Sequence, residues 1–184
     1  MPDPLTASDL SSDLERVLHE SARYWSSFAT PDFFAPIGSA WSPADNVRHL
    51  TKSMRAVTRG LTMPRFLLRL LFGRAGTRSR SYDALVKDYR VVLENGGTAG
   101  SFAPNAQDSA SFTEAERSRI MQVHATAIDT MRLAIARWDE NALDRVRLPH
   151  PLLGKLTVRE MLYFAVYHNQ HHVEVVKRRL SEHR

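Results

Sequence analysis

The sequence predicts an all-α protein, a four-helix bundle of up-down-down-up order with a long, partly helical connection between helices two and three. Three observations predict it. Apolar residues recur at three- and four-residue spacing in four long stretches, the spacing that puts them on one face of a helix. Three of those stretches open on a residue type that caps a helix N-terminus. No stretch shows a convincing strand alternation of apolar and polar residues.

Helix one is expected over Ser8 to Ala29, where Leu10, Leu14, Val17, Leu18, Ala22 and Trp25 form the apolar stripe. A loop with Pro31, Pro36 and Gly38 ends it. Helix two is expected over Pro43 to Gly60, with Ser42 as N-cap, Pro43 in the first helical position and Asp45 in the third. At 100° per residue, Leu50, Met54, Val57 and Leu61 make its core side, and Arg48, Lys52, Arg55 and Arg59 a solvent side. The connection that follows contains two helical stretches, Pro64 to Phe72 and Tyr82 to Leu93, and then irregular chain in GGTAGSFAPNAQDSAS. Helix three follows Thr113, a capping box with Glu116, and runs to about Trp138. Helix four follows Thr157, boxed with Glu160, and runs to about Ser181.

A connection of that length can return along the whole bundle, so helices two and three are expected to be parallel. The rise of ~1.5 Å per residue places His49 and the helix-four histidines at comparable heights in either an up-down-down-up or an up-down-up-down order. The heights therefore permit a shared site without choosing the topology.

A chain of 184 residues is long enough for one proper core, and a single domain over residues 1–184 is expected. It has no cysteine, which excludes disulfides, thiolate ligands and a cysteine nucleophile. MPDPLTASDL is acidic and short of apolar residues, unlike a signal peptide, and no apolar run approaches the ~20 residues of a spanning helix. A cytoplasmic setting is expected. The net charge of +5 is uneven: Asn46 to Tyr82 holds nine Lys or Arg and no Asp or Glu. Such a block suits an anionic partner or a solvated helix face. Nucleic acid is disfavoured because no helix-turn-helix, aromatic strand or zinc-finger pattern accompanies it. The basic stretch MPRFLLRLLFGR is expected to pack on the bundle or a second subunit and not on a membrane.

His168 and His172 lie four residues apart in a run that otherwise reads as core, and so share a helix face. Buried imidazoles need partners, and a metal ion would satisfy both. His49 supplies a third ligand. It lies on the flank of helix two with Ser53, Ala56 and Gly60, small residues that leave open space beside the ring. Three histidines suit zinc or nickel and leave a coordination position open, as catalytic sites do. His124, on helix three, aligns with Ile120, Ala127, Met131, Ile135 and Trp138, and is a candidate general base or fourth ligand, or else a hydrogen-bonded core residue. His171, about 60° round the helix from His168, is a candidate for supporting a ligand, or else a polar residue at the bundle rim. His150 precedes a proline in a loop expected far from the metal, His19 is off the apolar stripe, and His183 is terminal.

WSPADNVRHL, followed far downstream by HPLLGKLTVREMLYFAVYHNQHH, resembles the DinB-like superfamily of four-helix metalloproteins. The family pattern has one histidine in W-S-P-x-x-x-x-x-H-L and two in H-x-x-x-H on the last helix, matched here at Trp41, His49, His168 and His172. The resemblance covers nearly the whole chain. It implies the up-down-down-up bundle, a divalent metal, a dimer and a cytoplasmic setting. Characterised relatives include thiol-S-transferases using low-molecular-weight thiols such as bacillithiol, and a mycothiol-dependent isomerase. The expected function is thus transfer of a small thiol, or metal-dependent hydrolysis, on a small, anionic substrate. The alternative is a stress-associated metal-binding or regulatory protein without catalysis, with a saturated ion and no cavity beside His49.

Overall fold

The structure, a computed structural model, describes residues 6–76 and 78–182. Among the described residues the chain is mostly helical: Ala7–Ser26 (α1), Thr30–Phe34 (α2), Pro43–Thr62 (α3), Arg65–Phe72 (α4), Tyr82–Glu94 (α5), Glu114–Ile135 (α6), Glu140–Arg145 (α7) and Val158–Glu182 (α8). One antiparallel hairpin, Arg147–His150 (β1) with Gly154–Thr157 (β2), precedes α8. The four long helices expected from the periodicity are α1, α3, α6 and α8.

Their start signals work as the capping chemistry requires. Ser42 and Asp45 form a reciprocal box at α3, and Thr157 and Glu160 form one at α8, with N–H to oxygen distances of 2.9 and 3.1 Å at the latter. At α6, Thr113 caps the Glu116 N–H, but the Glu116 carboxylate turns to Arg119 and Gln107.

Several boundaries differ from expectation. α1 ends at Ser26, where the Ser26 and Ser27 hydroxyls take the carbonyls of Ala22 and Tyr24, and the chain restarts as α2 with Pro31 in its first turn. The irregular stretch after α5 contains two 3₁₀ turns, Gly100–Phe102 and Ser109–Ser111. The hairpin corrects the expectation of no strands. Leu148 pairs with Leu156, both buried, and Gly154 takes φ +74° at the turn.

α1 and α3 each pack against both α6 and α8. Thr51 meets His124, and further along α3 the Leu61 carbonyl accepts from Trp138 Nε1 at 3.1 Å, so α3 and the α6 segment advance together. Across α3 and α8 the order reverses: His49 faces His168, and Asn46 faces His172. α1 and α6 are opposed, with Glu15 on Arg132 and the Ser26 carbonyl on Arg117. Arg159, only 3% exposed, ties the start of α8 to α7 through Asp144 (2.7 Å) and Glu140 (2.9 Å).

The basic block is not simply a solvated face. Arg48 and Lys52 donate to the carbonyls of Asn105 and Ala103, which lays the irregular connection across α3. Arg80 pairs with Glu160 and Asp88, and Arg65 with Asp139. In α4 only Leu68 is buried. Leu68 sits in the core with Phe72 packed against it, while Phe66 and Leu70 are exposed at 72% and 78%, so the stretch rests on the bundle and leaves part of its apolar side open.

Among the described residues, no helix is long and apolar enough to cross a membrane.

Candidate metal centre

The histidine side chains of α3 and α8 meet where two apolar clusters join. Val47, Leu50 and Val173 belong to one cluster, and Met54, Phe164 and Ala165 to the other. His49 Nε2 lies 3.0 Å from His168 Nε2, and His172 Nε2 lies 3.1 Å from the same atom. Candidate ligand atoms of all three lie within 4.8 Å of one another. His49 and His168 are buried, and His172 is half-buried.

The other ring nitrogens decide the protonation. His49 Nδ1 is 2.9 Å from the Phe102 carbonyl, which can only accept, so Nδ1 carries the proton. His172 Nδ1 is 2.7 Å from Asn46 Oδ1. Asn46 Nδ2 donates to the Ser42 carbonyl at 2.9 Å, which turns its oxygen toward His172 and makes that Nδ1 a donor as well. Both neutral rings therefore aim Nε2 lone pairs at His168 Nε2. A single N–H there could serve only one of them. A cation satisfies all three, and this donor set is what a borderline divalent metal takes. Metal–nitrogen bonds of about 2.0–2.1 Å put neighbouring ligand nitrogens roughly 2.9–3.4 Å apart. The observed 3.0 and 3.1 Å fit.

Burial pushes the pKa of all three below the ordinary histidine value, most strongly at His168 and His172, where neighbouring imidazoles add to the effect. The rings stay neutral and available as ligands. Trp41 packs 5.1 Å from the His49 ring and stacks on His172 at 6.2 Å, while Phe164 stacks on His168 at 4.7 Å.

The triad forms part of the wall of a cavity of about 590 Å³. Ser53, Ala56 and Gly60 line it beside His49. The opening extends under the hairpin, where Leu148 approaches so closely that a Cβ on Gly60 would sit 2.8 Å from its methyl.

A family model described as the DinB superfamily matches residues 13–176. The chain belongs to the DinB superfamily. The match takes in α3, α8 and all three histidines of the cluster. Comparison of this DinB-superfamily chain with curated proteins and with solved structures gave no significant match.

The remaining histidines fall elsewhere. His124 is fully buried on α6, with Nδ1 2.9 Å from Thr51 Oγ1, and does not line the cavity. Thr51 follows His49 by two residues and faces away from it around the helix. His171 is half-buried and lines the cavity without joining the cluster. His150 corrects an expectation. It is not far from the cluster but lines the same cavity, its ring 4.3 Å from Phe164, because β1 doubles back along the chain entering α8. His19 is exposed beside Glu15, and His183 lies outside the described residues.

Asn46 and Phe102 are the supporting residues that sequence reasoning missed. Asn46 had a signal, one helical turn before His49. Phe102 acts through its backbone and had none. Asn46→Ala is expected to weaken metal binding about 10–100-fold, the usual cost of losing such a partner, with Asn46→Asp restoring most of it. Competition against a chromophoric chelator measures this. Unchanged affinity in Asn46→Ala would show that His172 needs no orienting partner.

Proposed function

We propose that the chain is a divalent-metal-dependent enzyme that transfers a low-molecular-weight thiol to a small electrophile, with His49, His168 and His172 holding zinc or nickel. The observation carrying this reading is the convergence of three imidazole Nε2 atoms on the wall of a cavity. The ion, when bound, supplies a Lewis acid that lowers the pKa of a thiol at its open position. The chain does the rest. Asn46 and Phe102 hold two imidazoles in the ligating tautomer. Trp41 and Phe164 shield the ring faces. Arg59, on the cavity wall, offers a cation to an acidic cosubstrate or substrate. A chain without cysteine takes its sulfur from solution. The thiolate sulfur forms a C–S bond as the electrophile's leaving group departs with its electron pair.

The same reading includes a single domain and an up-down-down-up bundle, supported by the shared direction of α3 and α6 and the opposed direction of α3 and α8. It also includes a homodimer, to which exposed Phe66 and Leu70 would contribute an apolar face. A purely structural ion would call for a fourth protein ligand and no cavity. Among the described residues the cluster has three members, no carboxylate, and a cavity beside it. The test is metal analysis of untagged protein followed by assay of small thiols with chlorodinitrobenzene. About one equivalent of zinc or nickel, with thiol-dependent turnover lost on chelation, supports the reading. Negligible metal after reconstitution sinks it.

A further inference from the structure

His150 is a buried polar side chain in the cavity with no task in holding the ion. Its Nδ1 accepts the backbone N–H groups of Leu152 (3.2 Å) and Leu153 (3.0 Å), closing the turn between β1 and β2. With that lone pair engaged, the neutral ring carries its proton on Nε2. Burial holds the pKa down to about 4, so the ring stays neutral near pH 7. Among the described residues the hydrogen bonds of His150 are both at Nδ1, and none is made by Nε2. The ring meets Phe164 edge-on at 4.3 Å, and Phe164 in turn stacks on His168. Around this donor the wall is dominated by apolar side chains, among them Met63, Leu68, Phe72, Leu148 and Met161.

A neutral donor in an apolar wall matches a neutral acceptor. A carboxylate would be desolvated there without a countercharge, and its place is toward the exposed Arg59. A cavity of about 590 Å³ is of the size that encloses small-molecule ligands. We propose that His150 is a positioning residue: its Nε2–H takes the carbonyl oxygen of a largely apolar substrate and sets the adjoining electrophilic carbon beside the histidine triad. This assignment of substrate class rests on reading the triad as the reaction centre.

The test uses metal-depleted full-length protein and two sterically similar probes, benzophenone and diphenylmethane, titrated by calorimetry or ligand-observed NMR. Wild type is expected to bind the ketone at least ten-fold more tightly, about 1.4 kcal/mol. His150→Gln, which keeps an N–H near the Nε2 position, should retain the preference. His150→Phe should lose it while still binding diphenylmethane. In ¹⁵N-histidine-labelled wild type, the His150 Nε2 resonance should shift with benzophenone and not with diphenylmethane, a readout independent of how the variants fold. Equal affinities in wild type, no binding of either probe, an unshifted Nε2, or a preference that survives in His150→Phe overturns the proposal. No ion takes part in this titration, so these outcomes bear on His150 alone, and metal content bears on the triad alone.

Discussion

Chelation is expected to lower the melting temperature of the metal-loaded wild type by about 8–16 °C and to leave a His168→Ala variant unmoved. The size follows from mass action. A ligand that binds only the folded state stabilises it by about 4 kcal/mol at a thousand-fold excess over Kd. In a domain of this length, each kcal/mol is worth about 2–4 °C. His168 is the member to remove because its Nε2 lies within 3.1 Å of both others. Without it, two imidazoles remain on separate helices, too few for a closed ligand set. The variant pays for the vacated core space, since His168 is 4% exposed and packed under Phe164. That cost appears with and without chelator, so the chelator response isolates the ion. Differential scanning fluorimetry with and without EDTA, then with zinc restored, makes the comparison. An equal response in both proteins, or none in wild type, would mean that the histidines hold no ion that matters to the fold.

The parts of the site legible in the sequence are those carried by local periodicity. His168 and His172 are four apart on one helix, and the small residues Ser53, Ala56 and Gly60 follow the face of His49. Both relations follow from 3.6 residues per turn and need no tertiary information. The long helices were legible for the same reason, and their starts because capping is a side-chain chemistry. Three things were not. Strands of four residues, such as β1 and β2, carry a weak pattern, and Leu148 and Leu156 matter only once they pair. Misplacing that hairpin also misplaced His150. The Phe102 carbonyl belongs to the backbone, which every residue has. Which part of α4 stays open was the third, because an amphipathic pattern says which residues share a face, not what covers it.

His124 gives the second large effect, and it concerns acid. Its Nδ1 donates to Thr51 Oγ1, whose own proton goes to the Val47 carbonyl, and its Nε2 is buried without a partner. Burial lowers its pKa from 6.5 to about 4. The unfolded chain thus takes up a proton before the folded one does as pH falls. The stability His124 contributes is present above about pH 6.5 and is lost as the pH drops toward 4. Each pKa unit of difference is worth about 1.4 kcal/mol, so wild type should lose about 2 kcal/mol by pH 5 from this residue alone. His124→Leu removes the titration. At pH 7.5 it gives up one hydrogen bond, about 1 kcal/mol, and relieves an unpaired buried nitrogen of about 1–3 kcal/mol, so the variant should match or slightly exceed wild type. By pH 5 its advantage should grow by about 2 kcal/mol. Urea unfolding of both proteins at the two pH values, without metal, tests this. The triad and His150 titrate in both proteins and cancel in the difference. A gap that stays constant between pH 7.5 and 5 would show that His124 is not held neutral in the core. Thiol-dependent turnover retained in His124→Leu would likewise separate a core residue from a general base, because only the latter must exchange protons with the substrate.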